Sequence, residues 1–208
     1  MIIAIDGPAA SGKGTLARRI AAHYGLRYLD TGSLYRAVAR DVMATDGDLR
    51  DVATATAAAR ALDPVSLDDP VLRERGVGEA ASIVARIPQV RTAILDYQRN
   101  FGSKPPGAVI DGRDIGTIVC PNADVKLFVV AALNVRADRR YKELREKGFD
   151  VTLEQVTEEI RNRDRRDLER DVAPLAQAED ARLLDTSDLS IGAATCAAVD
   201  LIDAMRAR

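Results

Sequence analysis

Gly7-Pro8-Ala9-Ala10-Ser11-Gly12-Lys13-Gly14-Thr15 is the stretch of this chain whose residue types and spacing could do chemistry most directly. Glycines let backbone N–H groups turn inward and form a concave nest for phosphate oxygens. A helix beginning at the lysine adds the partial positive charge of its N-terminus. Lys13 then reaches the β- and γ-phosphates of a nucleotide as a point charge. The context agrees: the apolar run Ile2-Ile3-Ala4-Ile5 precedes the loop, and Leu16-Ala17-Arg18-Arg19-Ile20-Ala21 follows with helical periodicity. Strand, glycine-rich turn, lysine and helix together make a P-loop. One position departs from the common pattern. Gly14 stands where Ser or Thr would follow the lysine, so Thr15 is the nearest hydroxyl for Mg²⁺, directly or through water.

Elements must position this loop, and composition bounds them. The 208 residues suffice for one domain with a sizeable core, and the net charge of -2 supplies no general basic field for nucleic acid. Cys120 and Cys196 lie far apart, which suits a reducing compartment and two small buried apolar residues. His23 is the single histidine, so a surface or packing role is expected of it. The first apolar run starts at residue 2 and residues 125–133 are too few to span a bilayer, so a cytoplasmic protein without a membrane partner is expected.

Short apolar runs alternate with helical patterns. Strands are predicted over 2–5, 27–29, 108–110, 125–130 and 182–184, mostly as runs buried on both faces. Helices are predicted over 13–24, 32–44, 88–101, 135–147, 153–166 and 191–205, with an alanine-rich helical stretch at 49–62. Thr152 with Gln155 fits a capping box and Gly148 a helix stop. The alternation predicts an α/β fold: a parallel sheet of P-loop type with helices on both faces and ligands at the carboxyl ends of its strands. Two stretches do not read as core. Residues 46–106 contain no convincing strand, and 63–70 read as a loop. Residues 134–170 hold eleven of the thirty Lys and Arg residues and ten acidic ones, the pattern of solvated helices laced with ion pairs.

Further polar residues fall at strand ends. Asp30-Thr31-Gly32 leads into a helix, where Thr31 reads as an N-cap. Val109-Ile110-Asp111-Gly112-Arg113-Asp114 is an apolar strand ending in Asp, so Arg113 and Asp114 fall where ligands gather. Arg163, Asp167 and Arg170, four and three apart, would share one face of a continuous helix.

At these residues the chain resembles the bacterial cytidylate kinases, of the nucleoside monophosphate kinase group. The matches are Ile5-Asp6-Gly7-Pro8 with Ser11-Gly12-Lys13-Gly14-Thr15, Asp30-Thr31-Gly32 with Tyr35-Arg36, and Ala81-Ser82. They continue through Pro88 with Val90-Arg91, Asp111-Gly112-Arg113-Asp114 with Gly116-Thr117, and Glu146-Lys147-Gly148-Phe149. The arginine-rich stretch 163–170 and Ala173-Pro174-Leu175 complete a likeness that runs nearly end to end. The resemblance implies a kinase core (about 1–35, 107–133 and 171–208), a helical monophosphate-binding insert (about 36–106) and a mobile lid (about 134–170), in a monomer. It implies ATP phosphates on Gly7 to Thr15, with Gly12, Lys13, Gly14 and Thr15 foremost. It implies cytosine near Thr31, Arg91, Asp114 and Arg170, ribose near Ser82, Arg163 and Asp167, and the monophosphate near Arg36 and Arg113, with Tyr35 alongside. Lys13, Arg139, Arg163 and Arg170 become the charges closing over the transferred group. Leu72-Arg73-Glu74-Arg75-Gly76-Val77 matches a family segment that usually follows short strands. Little stands before it here, so the small sheet of the insert is expected to be reduced or missing.

The chemistry accords with this reading. A transferring phosphoryl group needs positioning and cationic clamping, and its nucleophile is already an anion, so a chain with one histidine and many arginines suits it. The reaction implied is transfer from ATP to CMP, and to dCMP, with Mg²⁺. Competing readings are another small-molecule P-loop kinase acting on UMP or shikimate, a GTPase-type switch, and a P-loop module that binds without catalysis. The set Thr31, Arg91, Asp114, Asp167 and Arg170 favours a base and a ribose, and no Asn-Lys-x-Asp guanine motif exists to support a switch.

Overall fold

The computed structural model describes residues 1–74 and 76–207; Arg75, within the segment singled out at 72–77, lies outside them. Five parallel strands form one sheet: β1 (Ile2–Asp6), β2 (Arg27–Asp30), β3 (Ala108–Gly112), β4 (Val125–Val130) and β5 (Arg182–Asp185), in the order β2-β3-β1-β4-β5. The register pairs Ile5 with Asp111 and Asp30 with Asp111, so three strands bring their carboxyl ends together. Each predicted strand is present, extended by at most two residues, the two being Asp111 and Gly112 at the end of β3. The central strands are buried on both faces because helices cover both. β5 differs from that expectation: as an edge strand it leaves Leu183 exposed.

α1 (Lys13–Tyr24) and α8 (Ile191–Arg206) cover one face, where Ile3, Ile5, Leu16, Ile20, Leu127 and Ile202 make the central cluster. On the other side α2 (Thr31–Met43), α3 (Val52–Arg60), α4 (Val77–Val84) and α5 (Pro88–Ser103) bury a second cluster around Leu34, Val38, Val84 and Ile94. No strand occurs among the described residues between β2 and β3; the expected loop at 63–70 tightens into 3₁₀ turns at Pro64–Asp68 and Pro70–Arg73. α4 and the π-helical turn Ile115–Val119 carry no clear sequence signal, being short and capped by no side chain.

α6 (Leu133–Glu146) and α7 (Leu153–Leu168) pack on each other around Ala137, Leu144, Val151, Val156 and Ile160. Thr152 and Gln155 form the reciprocal capping box, and Gly148, at φ 82°, closes α6. His23 is exposed, set edge-on to Tyr24. Cys120 is buried, but Cys196 is exposed on α8, contrary to the expectation of two buried cysteines. No described helix is long and apolar enough to cross a membrane.

Candidate active site

The loop from Gly7 to Gly12 leaves β1 and enters α1 at Lys13, with Gly12 as N-cap at φ 86° and Ala10 also left-handed at φ 57°. These two left-handed residues turn backbone amides toward one point, as a phosphate nest requires. Gly7 (φ 152°) passes so close to β4 that a Cβ would lie 2.0 Å from the Val129 carbonyl oxygen. Lys13 is buried, and its Nζ donates to the Pro8 carbonyl at 3.2 Å. Burial, helped by the Arg113 charge, pulls its ammonium down to a pKa of about 7. Thr15 is exposed on the first turn of α1.

At the carboxyl ends of β2 and β3 lies a cavity of about 210 Å³. Ala9, Ala10, Lys13 and Gly14 of the loop line it. So do Thr31, Tyr35 and Arg36 of α2, Ser82 of α4, Arg113 and Asp114 after β3, and Arg163, Asp167 and Arg170 of the 134–170 segment. Thus most residues singled out in the sequence meet around one space. Gly7, Pro8, Ser11, Gly12 and Thr15 shape the loop without lining that space. Arg91 and Arg139 do not line it either. Arg91 stands behind Asp114 as its buried ion-pair partner, its guanidinium 5.6 Å from the Tyr35 ring centre. Arg139 is held at the loop after β5, donating to the Thr186 carbonyl at 2.6 Å and its hydroxyl at 3.2 Å.

Two local readings change. Thr31 is not the cap of α2. Asp30 occupies that position, and the Thr31 hydroxyl crosses to the Asp111 carbonyl at 2.8 Å, tying α2 to β3. Arg170 is not on the helix with Arg163 and Asp167. α7 ends at Leu168, and the turn beyond it returns Arg170 to the cavity.

The charges divide unevenly. Asp30 accepts from Arg36 at 2.6 Å, Asp167 from Arg113 at 2.7 Å, and Asp114 from Arg91. Neighbouring arginines hold Asp30 and Asp167 below the usual carboxylate range against the opposing effect of burial. Asp111 accepts instead from the Tyr28 phenol at 2.7 Å, and burial raises it to about 6. Among the described residues no carboxylate lies within ion-pair distance of Lys13, Arg163 or Arg170. Arg163 Nε and Arg170 Nε and Nη2 are buried without a hydrogen-bond partner, and burial, then Arg113, lowers Arg163 to about 10. Buried donors left this way call for an anion or another acceptor. Ser82 donates to the Glu79 carbonyl at 2.7 Å and accepts from Arg166 of α7 at 3.0 Å, joining α4 to α7.

Asp30 and Asp111 line the cavity and Asp6 braces the loop beside it, and motif reading gave none of the three a ligand. Two adjacent strands each ending in aspartate was the available signal for the first two. Asp6, buried at the end of β1, accepts from the Ile115 and Gly116 amides at 2.8 Å each, and so anchors the loop carrying Arg113 and Asp114. Burial raises its carboxyl to about 7.

A family model described as cytidylate kinase matches residues 3–203. A cytidylate kinase of Rhodopseudomonas palustris is 56% identical over 207 residues, covering 100% of this chain and 98% of the relative. One from Xanthobacter autotrophicus is 58% identical, covering 100% and 99%. A crystal structure of an uncharacterized protein from Eubacterium ventriosum shares the fold at TM-score 0.55 and 18% identity, over 98% of both chains. A match of this identity along the whole length leaves one assignment: the chain belongs to the cytidylate kinase family.

Proposed function

We propose that this protein transfers the γ-phosphate of ATP to CMP, and to dCMP, at the cavity between the P-loop and the ends of β2 and β3. The observation that carries this reading is the convergence of Lys13 with the unpartnered buried N–H groups of Arg163 and Arg170 on one small space. An anionic ligand bearing phosphates satisfies those donors.

In this reading the amides of residues 7–14 and Lys13 hold the ATP phosphates. Arg36 and Arg113 hold the monophosphate of CMP, because each guanidinium carries five N–H donors and one carboxylate does not exhaust them. Ser82, Arg163 and Asp167 meet the ribose. Thr31, Asp114 and Arg170 face cytosine, whose amine suits a carboxylate acceptor. Arg91 orients Asp114 from behind through their ion pair. The attacking phosphate oxygen is already anionic, so no side chain need remove a proton. Catalysis rests on alignment and on cations placed where charge is shared in the transition state. Arg163 and Arg170, brought in by the 134–170 segment, complete that clamp, and Arg139 steadies the loop after β5 beside it.

The donor set fits Mg²⁺ only as an ion carried in on nucleotide phosphates. The described residues hold no cluster of three or more acidic, His or Cys ligands, and Mg²⁺ ordinarily keeps water and phosphate ligands with few from protein. Thr15 is the hydroxyl that would meet it. When bound, such an ion would supply neutralisation of phosphate charge.

A coupled ADP-release assay across the common nucleoside monophosphates tests the proposal. CMP and dCMP should turn over well ahead of UMP, AMP and GMP; equal rates, or none, would refute it.

A further inference from the structure

Gly14 stands where a P-loop commonly carries a hydroxyl, and its backbone does not require glycine. It sits in the first turn of α1, outside the residues with positive φ. Glycine weakens a helix relative to alanine, so the reason lies in space. A Cβ at position 14 would lie 3.3 Å from Asp111 Oδ2 and 3.5 Å from the Tyr28 hydroxyl. Tyr28 comes from β2 and Asp111 from the neighbouring β3, and the phenol donates to that same Oδ2 at 2.7 Å. Arg18, one turn along α1, stacks its guanidinium 5.1 Å from the Tyr28 ring centre and backs the ring. The carboxylate, held in place by the phenol, crowds the position a side chain at 14 would take.

Asp111 also differs from the other carboxylates of the cavity. Arginines hold Asp30, Asp114 and Asp167, whereas a neutral phenol holds Asp111. Its charge is therefore not cancelled by its anchor and remains available to Lys13 beside it.

We propose that Tyr28 is a positioning residue for phosphoryl transfer. Its hydroxyl, reaching in from β2 beside the bare Gly14, holds the Asp111 carboxylate against the P-loop next to Lys13. This rests on the kinase reading above. Its specific content is that one hydroxyl at this point matters, whichever element supplies it.

Three variants test it: Tyr28→Phe, Gly14→Ser, and the two combined. Tyr28→Phe keeps the ring and its Arg18 contact and removes only the donor. The kcat should fall by about tenfold, the size of one lost hydrogen bond to a charged group, while the KM for CMP and the melting temperature stay close to wild type. Gly14→Ser alone should be impaired, since its side chain meets Oδ2 and the phenol. In the Tyr28→Phe background the same serine has room and a free acceptor, and should restore most of the lost kcat. A side chain needed only for packing cannot be rescued by a hydroxyl on another element. Unchanged kcat in Tyr28→Phe, a loss accompanied by a collapsed melting temperature, or no recovery in the double variant would each overturn the inference while wild-type turnover of CMP left the kinase reading standing. A wild-type protein inactive on CMP would overturn both.

Discussion

Replacing Asp114 separates a residue that reads the base from one that only holds a loop. The structure chooses the substitution. Arg91 and Asp114 are 8% and 5% exposed, so truncation to alanine would leave a buried guanidinium without its partner, at a cost of about 3–5 kcal/mol that mixes stability with recognition. Asp114→Asn preserves shape and leaves Arg91 a carbonyl oxygen to bind. It removes the charge and replaces an acceptor with a donor. With CMP the lost charged hydrogen bond to the amine is worth about 1.5–3 kcal/mol, or roughly 10- to 100-fold in kcat/KM. With UMP the exocyclic atom is a carbonyl oxygen, which an amide can meet as donor, so kcat/KM should hold or rise. The ratio of the two should collapse. Steady-state ADP release with both monophosphates, alongside a thermal melt, measures this. If CMP and UMP suffer alike and their ratio stays within about twofold, Asp114 has no part in selecting the base and the reasoning fails.

Lys13→Ala should lower kcat by on the order of a hundredfold or more through loss of a clamp on the transition state; because Lys13 lies buried near Arg113 and Arg163 with one hydrogen bond, to Pro8, the melting temperature should hold or rise, and a marked fall would contradict this electrostatic picture. Nucleotide binding should also take up a proton. Lys13 sits near a pKa of about 7 through burial, so it is mostly neutral at pH 8, and phosphates beside it return it toward its ordinary value. ATP titrated calorimetrically at pH 8 in two buffers of different ionisation enthalpy should show an uptake approaching one proton that disappears in Lys13→Met and fades below pH 6; identical heats would exclude it. Amide exchange across residues 134–170 should slow when a bisubstrate analogue binds, as the segment closes over both nucleotides, and equal protection with and without the analogue would show that it does not move as a lid.

What could be read in the chain followed from signals confined to a few neighbouring residues. Continuous apolar runs located four of the five strands, β2 resting on the weaker signal at 27–29, and the glycine–lysine spacing located the loop and the start of α1. Features set by contacts across the sheet were not legible. Thr31 looked like a cap because Thr before a helical run ordinarily is one, yet its partner is the Asp111 carbonyl, 80 positions away. The buried partner of Asp114 is Arg91 of α5, 23 positions away, a pairing no local signal marks. The roles of Asp30 and Asp111 depend on strand order, which no single strand encodes. The turn after α7 that returns Arg170 to the cavity needed the end of that helix, and helix ends are among the least certain features of a sequence.

The separate apolar seam between α6 and α7 decides which property of the solvent governs closure. Apart from the methyl of Ala10, its members all come from residues 133–160. If residues 134–170 act as a lid, these helices carry their hydrocarbon with them as they leave the P-loop. What they give up is polar: the Arg136 bond to the Ala9 carbonyl at 3.1 Å, and the reach of Arg166 to Ser82 and Glu79. Closing of such a lid would therefore bury little new apolar area, and its driving force would be the attraction between arginines and phosphates. Such attraction weakens as the Debye length shrinks, to about 8 Å at 0.15 M salt. Ionic strength, more than temperature, is then the variable that tunes how long the nucleotides stay enclosed.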